Sequence, residues 1–153
     1  MENVVINVVG SLTRWGQTEE TEFFTRGTVE MQDEQTVLSY LGTGGEDDRM
    51  EITLSGKEVT LKKPESRTGD AAIVVLREKQ AYSSFYQTPV GVVAVQVYPT
   101  LVHVQKEAEQ GKIELEYITS IADTQAVNRL RVEYARRYRD IQNRKREGEN
   151  DGH

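Results

Sequence analysis

At 153 residues, the chain is long enough for one domain. A domain of this size buries roughly 70% of the surface its unfolded form exposes, so it needs no cross-links to fold. There is no cysteine, which excludes disulfides, thiolate metal sites and a cysteine nucleophile together. The formal charge of −6 is unevenly spread: residues 129–146 carry eight basic and two acidic side chains, a local +6 that leaves −12 on the rest.

The first residues lack the basic, apolar and small-residue layout of a secretory signal. No run reaches the ~18 apolar residues of a membrane helix. A soluble, cytoplasmic protein is expected.

Along the chain the dominant period is two, the signature of half-buried strands. Val4, Ile6, Val8 and Leu12 form the first apolar set, and Phe23, Val29 and Met31 a second. Gly42-Thr43-Gly44-Gly45 and the acids Glu46-Asp47-Asp48 then read as a hairpin loop. The acids lack calcium-loop spacing, and the glycines do not open a helix as a phosphate cradle requires. Met50, Ile52 and Leu54, then Val59 and Leu61, alternate with polar residues around Gly56-Lys57. A type II′ turn there pairs Leu54 with Val59 and Ile52 with Leu61, so turn chemistry and apolar register agree. Ile73 to Leu76 are apolar on both faces, which predicts a strand covered on both sides.

The most apolar stretch, from Tyr86 to Gln105, begins with Tyr86-Gln87-Thr88-Pro89-Val90-Gly91. Tyr86, Thr88, Pro89 and Gly91 read as an architectural motif. Proline fixes its own φ and extends the residue before it, and glycine permits a bend. Farther on, the apolar face is odd at Val93, Val95 and Val97 but even at Val102 and Val104. A one-residue slip would turn every later side chain outward. A β-bulge near Pro99 restores the phase. A hairpin at Pro99-Thr100 is the alternative, disfavoured because hairpin turns want positive φ where proline cannot supply it. In both versions His103 points away from the core. Gln110-Gly111 predicts another hairpin, pairing Ala108 with Ile113 and Val104 with Tyr117, although Lys106 would then oppose Leu115. Ile113, Leu115, Tyr117 and Thr119 alternate as a further strand.

The last segment fits two periods. Leu130, Val132 and Tyr134 alternate, whereas Val127, Leu130, Tyr134, Tyr138 and Ile141 follow helical spacing. A strand near 128–134 followed by a short basic helix is the favoured reading. One helix over about 125–145 is the alternative. The division expected is a β domain at 1–134 and a charged tail at 135–153.

Short strands separated by polar turns suggest an antiparallel sandwich or barrel. The segments YQTPVGVVAVQV, GKIELEYITSI and NRLRVEY resemble the C-terminal half of the YwiB-like bacterial family. TVLSYLG and MEITLSGKEVTL resemble its central hairpins. The Tyr-x-Thr-Pro-x-Gly pattern falls on Tyr86, Thr88, Pro89 and Gly91, and the resemblance covers most of residues 3–134. Beyond a short basic C-terminal helix or tail longer than the family pattern requires, the resemblance implies an all-β, antiparallel calycin- or lipocalin-like barrel, here of about eight or more strands. It implies no established activity. Lipocalins carry Gly-x-Trp near the first strand, where this chain has Arg14-Trp15-Gly16. Fatty-acid binders end with Arg-x-Tyr, where it has Arg131-Val132-Glu133-Tyr134. No ligand site is inherited from either.

A small barrel either fills its interior with side chains or holds one small ligand. With tyrosines on several strands (Tyr40, Tyr86, Tyr98, Tyr117), the leading expectation is a non-enzymatic barrel binding a small apolar or amphipathic ligand through Tyr86, Tyr98 and Tyr117. The alternative is an RNA- or protein-binding module using Arg136, Arg137, Arg139, Arg144, Lys145 and Arg146. No cofactor is implied. No histidine pair has metal spacing, so no metal is expected. His103 lacks a recognisable nucleophile or carboxylate partner, so no catalytic residue is assigned.

Overall fold

In a computed structural model the described residues are 2–42, 48–63, 71–107, 110–121, 124–138 and 140–141. The chain first doubles back at Trp15-Gly16, where φ is 52° and 72°. Two positive φ angles make the two-residue turn whose twist matches a hairpin. It joins β1 (Glu2–Arg14) to β2 (Gln17–Gln32). Eight more strands follow: β3 (Gln35–Leu41), β4 (Arg49–Ser55), β5 (Glu58–Lys63), β6 (Ala71–Leu76), β7 (Tyr82–Thr88), β8 (Gly91–Lys106), β9 (Gly111–Ile121) and β10 (Thr124–Ala135). Each pairs antiparallel with its sequence neighbours, and β1 pairs with β10, so the sheet closes as a ten-stranded barrel.

The interior is built by strict alternation. Ile6, Leu38, Ile52, Leu54, Val59, Leu76, Val95, Val97, Ile113 and Val132 are all 2% exposed or less and belong to one core. Each such side chain contributes about 1.5–3 kcal/mol by leaving water. The β4–β5 hairpin has the register read from sequence, Leu54 opposite Val59 and Ile52 opposite Leu61, with Gly56 at φ 59°.

The phase change in β8 is a bulge within one continuous strand. Tyr117 faces Pro99 and Glu116 faces Leu101, leaving Thr100 as the extra residue. The Thr100 hydroxyl donates to the Glu116 carbonyl at 3.0 Å. Val95 and Val97 before it and Val102 and Val104 after it therefore share the inner face, and His103 is exposed outside.

Four expectations need correction. The β8–β9 connection is residues 107–110, so Lys106 opposes Gly111 and Val104 opposes Ile113. This register spares Leu115 a charged neighbour and lets the Lys106 ammonium donate to Thr36 Oγ1 at 3.3 Å. The single helix over 125–145 is overturned by β10. Ten of its twelve residues pair with β1, and that ladder outweighs the helical spacing. β6 is not covered on both sides, because Ile73 is 48% exposed on the outer face. A proline does open a two-residue hairpin loop, although at Pro89-Val90 rather than Pro99. There the strain is relieved by Gly91 at φ 134° and by the Thr88 hydroxyl donating to the Gly91 carbonyl at 2.8 Å. Among the described residues no basic C-terminal helix is established.

Gly27 marks where β2 crosses closest to its neighbours. A Cβ there would collide with the Ser39 carbonyl oxygen and lie 2.7 Å from Ile6 Cδ1. Gly27→Ala is expected to cost about 3 kcal/mol, the upper range of overpacking. Gly16→Asn, where a Cβ meets open space, should cost far less. Urea unfolding of both variants checks the contrast.

Candidate functional site

Five tyrosines belong to the interior: Tyr134 on β10, 3% exposed, lies over Gly111, and four others interrupt the aliphatic wall. Tyr40 alternates with buried Thr36 and Leu38 on β3, and Tyr82 and Tyr86 flank buried Ser84 on β7. Tyr117 continues the inward row of Ile113 and Leu115 on β9. Tyr40 is 5% exposed, while Tyr82, Tyr86 and Tyr117 pack against the core yet keep part of their surface uncovered. The Tyr82 hydroxyl is buried with no hydrogen bond of ordinary geometry among the described residues. Sequence reasoning missed Tyr82, although its two-residue alternation with Tyr86 placed it on the same face.

The phenols lie close enough to influence one another. Burial raises Tyr40 to about 12, with repulsion from Asp48 adding to it. Burial likewise raises Tyr82 to about 12; the Val75 backbone pulls part of this back, while Tyr86 and Glu58 add repulsion. Tyr86 is raised by burial. Tyr117 is raised most, by burial and then by Tyr86, Tyr82 and Tyr40. At neutral pH all four are uncharged hydroxyls, able to donate and accept hydrogen bonds but unable to act as bases.

Tyr98 does not join them. It sits on the outer face of β8, 46% exposed, because the inner face before the bulge is odd-numbered. Only Tyr86 and Tyr117 of the three expected ligand contacts meet in the interior. Thr88, Pro89 and Gly91 form the β7–β8 turn, and of the motif only Tyr86 faces inward. His103 Nδ1 lies 3.9 Å from Glu114 Oε1 on the outer face, with nothing enclosing the pair. No cluster of three metal-ligating side chains occurs among the described residues.

The segment after β10 folds back over β1 and β2. Ala135 and Ile141 are 1% and 2% exposed, and the Tyr138 ring packs 4.8 Å from that of Phe24. Arg136 Nη2 lies 2.8 Å from Glu2 Oε2, and Arg137 Nε 3.5 Å from Asp140 Oδ2. Arg139, Arg144, Lys145 and Arg146 lie outside the described residues, as do Thr43 to Asp47 of the glycine-rich acidic loop.

The pattern of DUF1934, a domain of unknown function, matches residues 6–132. The chain belongs to the DUF1934 family. That match spans these four tyrosines and stops at residue 132, before Tyr134 and Arg136, so the shared domain is the barrel. The crystal structure of the ywiB protein from Bacillus subtilis has the same fold, with a TM-score of 0.76 at 15% sequence identity over 89% of this chain and 92% of that one. No curated protein matches the chain. Among the described residues of this DUF1934 member, no helix is long and apolar enough to cross a membrane.

The raised phenols tie stability to alkaline pH. Each folded-state value lies above the ordinary 10.0, so the unfolded chain loses these protons first as pH rises. Their contribution is complete below pH 10 and is lost as pH climbs through about 12. Urea midpoints should fall over that interval. Tyr86→Phe combined with Tyr117→Phe should flatten the fall, and tyrosinate absorbance under native and denaturing conditions measures both.

Proposed function

We propose that this barrel binds a small, largely apolar ligand in its interior without transforming it. The observation that supports this is the phenol cluster. Three tyrosines that point into the core are left partly uncovered by the protein's own side chains. A phenol inside an apolar wall needs a hydrogen-bond partner, and Tyr82 lacks one of ordinary geometry. A ligand with an uncharged acceptor, such as a carbonyl or ether oxygen, would supply it and bury the exposed ring surface. Neutral hydroxyls suit this class, and the Lys106 ammonium that reaches buried Thr36 is engaged with its hydroxyl.

Native mass spectrometry after gentle purification should show a bound mass that disappears on denaturation. In thermal-shift screens, neutral acceptor-bearing compounds should stabilise the protein. Tyr86→Phe or Tyr117→Phe should weaken binding by about tenfold, the worth of one hydrogen bond of about 1.4 kcal/mol. A clean apo mass with no thermal shift across neutral and acidic libraries would leave the interior as a packed core alone.

A further inference from the structure

The barrel wall is thin beside β8. β7 pairs with β8 only from Gly91 to Val97, so Tyr98–Lys106 has no described strand on that side. β6 also leaves β7 after two pairs, Ala71 with Gln87 and Ala72 with Tyr86. One loop bond reaches the open edge, from the Lys79 amide to the Pro99 carbonyl at 3.0 Å.

That bond orients the edge. In an antiparallel ladder, alternate residues turn both backbone groups to the same side. Pro99 therefore faces away from β9, where the N–H that proline lacks costs no ladder bond. The Glu116 carbonyl points toward β8, since it accepts from Thr100, and Glu116 opposes Leu101. Leu101, His103 and Gln105 thus bond toward β9. Val102, Val104 and Lys106 are left with N–H and C=O groups aimed at the open side. A cleft of about 760 Å³ runs there, between Val102–Val104 and a rim carrying Lys57 and Lys79.

The rim has a charge preference. Arg77 is held by Glu58, Nη2 to Oε2 2.5 Å. Ion pairs among the described residues leave Lys57 and Lys79 unengaged, with Glu78 as the one other carboxylate lining the cleft. These lysines stand out on a body that carries a net −12 outside residues 129–146.

We propose that the open edge of β8 is a docking site for an extended, acidic peptide segment of a partner protein. The segment adds as a strand beside Val102, Val104 and Lys106, and its carboxylates sit near Lys57 and Lys79. Main-chain bonds supply affinity in this mode, and side-chain charge supplies selection. The site is separate from the tyrosine-lined interior, so either can exist without the other.

The test titrates the isotope-labelled full chain with an acetylated, amidated heptapeptide alternating glutamate and valine, followed by amide NMR. Shifts should concentrate at Val102, Val104 and Lys106 and weaken with salt. Val104→Pro removes an outward N–H and keeps the β9 ladder, so it should fold and lose about tenfold in affinity. Lys57→Glu, on an exposed turn, gives a second reading if the proline variant does not fold, and should also weaken binding. The proposal is overturned by silent edge amides at millimolar peptide, or by equal binding of a lysine-valine control. It is also overturned if the edge amides are protected by concentration-dependent self-association, which would make a second copy of this chain the occupant.

Discussion

The pairing of β1 with β10 is the constraint on which the rest depends. Ten residue pairs, from Val5 with Ala135 to Arg14 with Ala126, join the two ends of the described strands. Without that ladder the sheet would have two open edges and its inner face no enclosed side. Closure also explains why β10 is a strand. Its helical spacing is real, but a helix there would leave β1 and β9 each paired on one side only, with β2 and β8.

Once closed, the barrel must keep its inward parity on every strand, and β8 shows how this is managed. Its 16 residues carry inward side chains at odd positions early and at even positions late. The bulge at Thr100 bends it and shifts the phase by one residue, while the Thr100 hydroxyl satisfies the carbonyl the bulge would strand. The same length carries β8 past the end of β7 and leaves the barrel its unpaired edge. The bulge thus keeps the core in phase, while the unequal lengths of β7 and β8 leave Tyr98–Lys106 without a described strand on that side.

Inside a largely aliphatic core that also holds Thr36 and Ser84, the tyrosines bring the aromatic polar groups. Their hydroxyls remain protonated because water is excluded and neighbouring phenols disfavour charge. At the other surface, the segment after β10 lies against β1 and β2. The basic residues nearest the barrel, Arg136 and Arg137, are held in ion pairs with Glu2 and Asp140.

Much of this was legible in the chain itself. Alternation and turn chemistry act between near neighbours, so the sequence determined the all-β class, the Leu54–Val59 register, the bulge near Pro99 and the outward His103. The YwiB-like resemblance added the barrel. Tertiary structure alone decided matters that depend on distant partners. The Lys106 ammonium meets the hydroxyl of Thr36, 70 residues away in the chain. Tyr98 and Tyr82 follow local alternation, outward and inward, but which inward tyrosines influence one another depends on the strands that close the barrel. The open edge of β8 was hidden for the same reason: an unpaired backbone shows only when the full set of partners is counted.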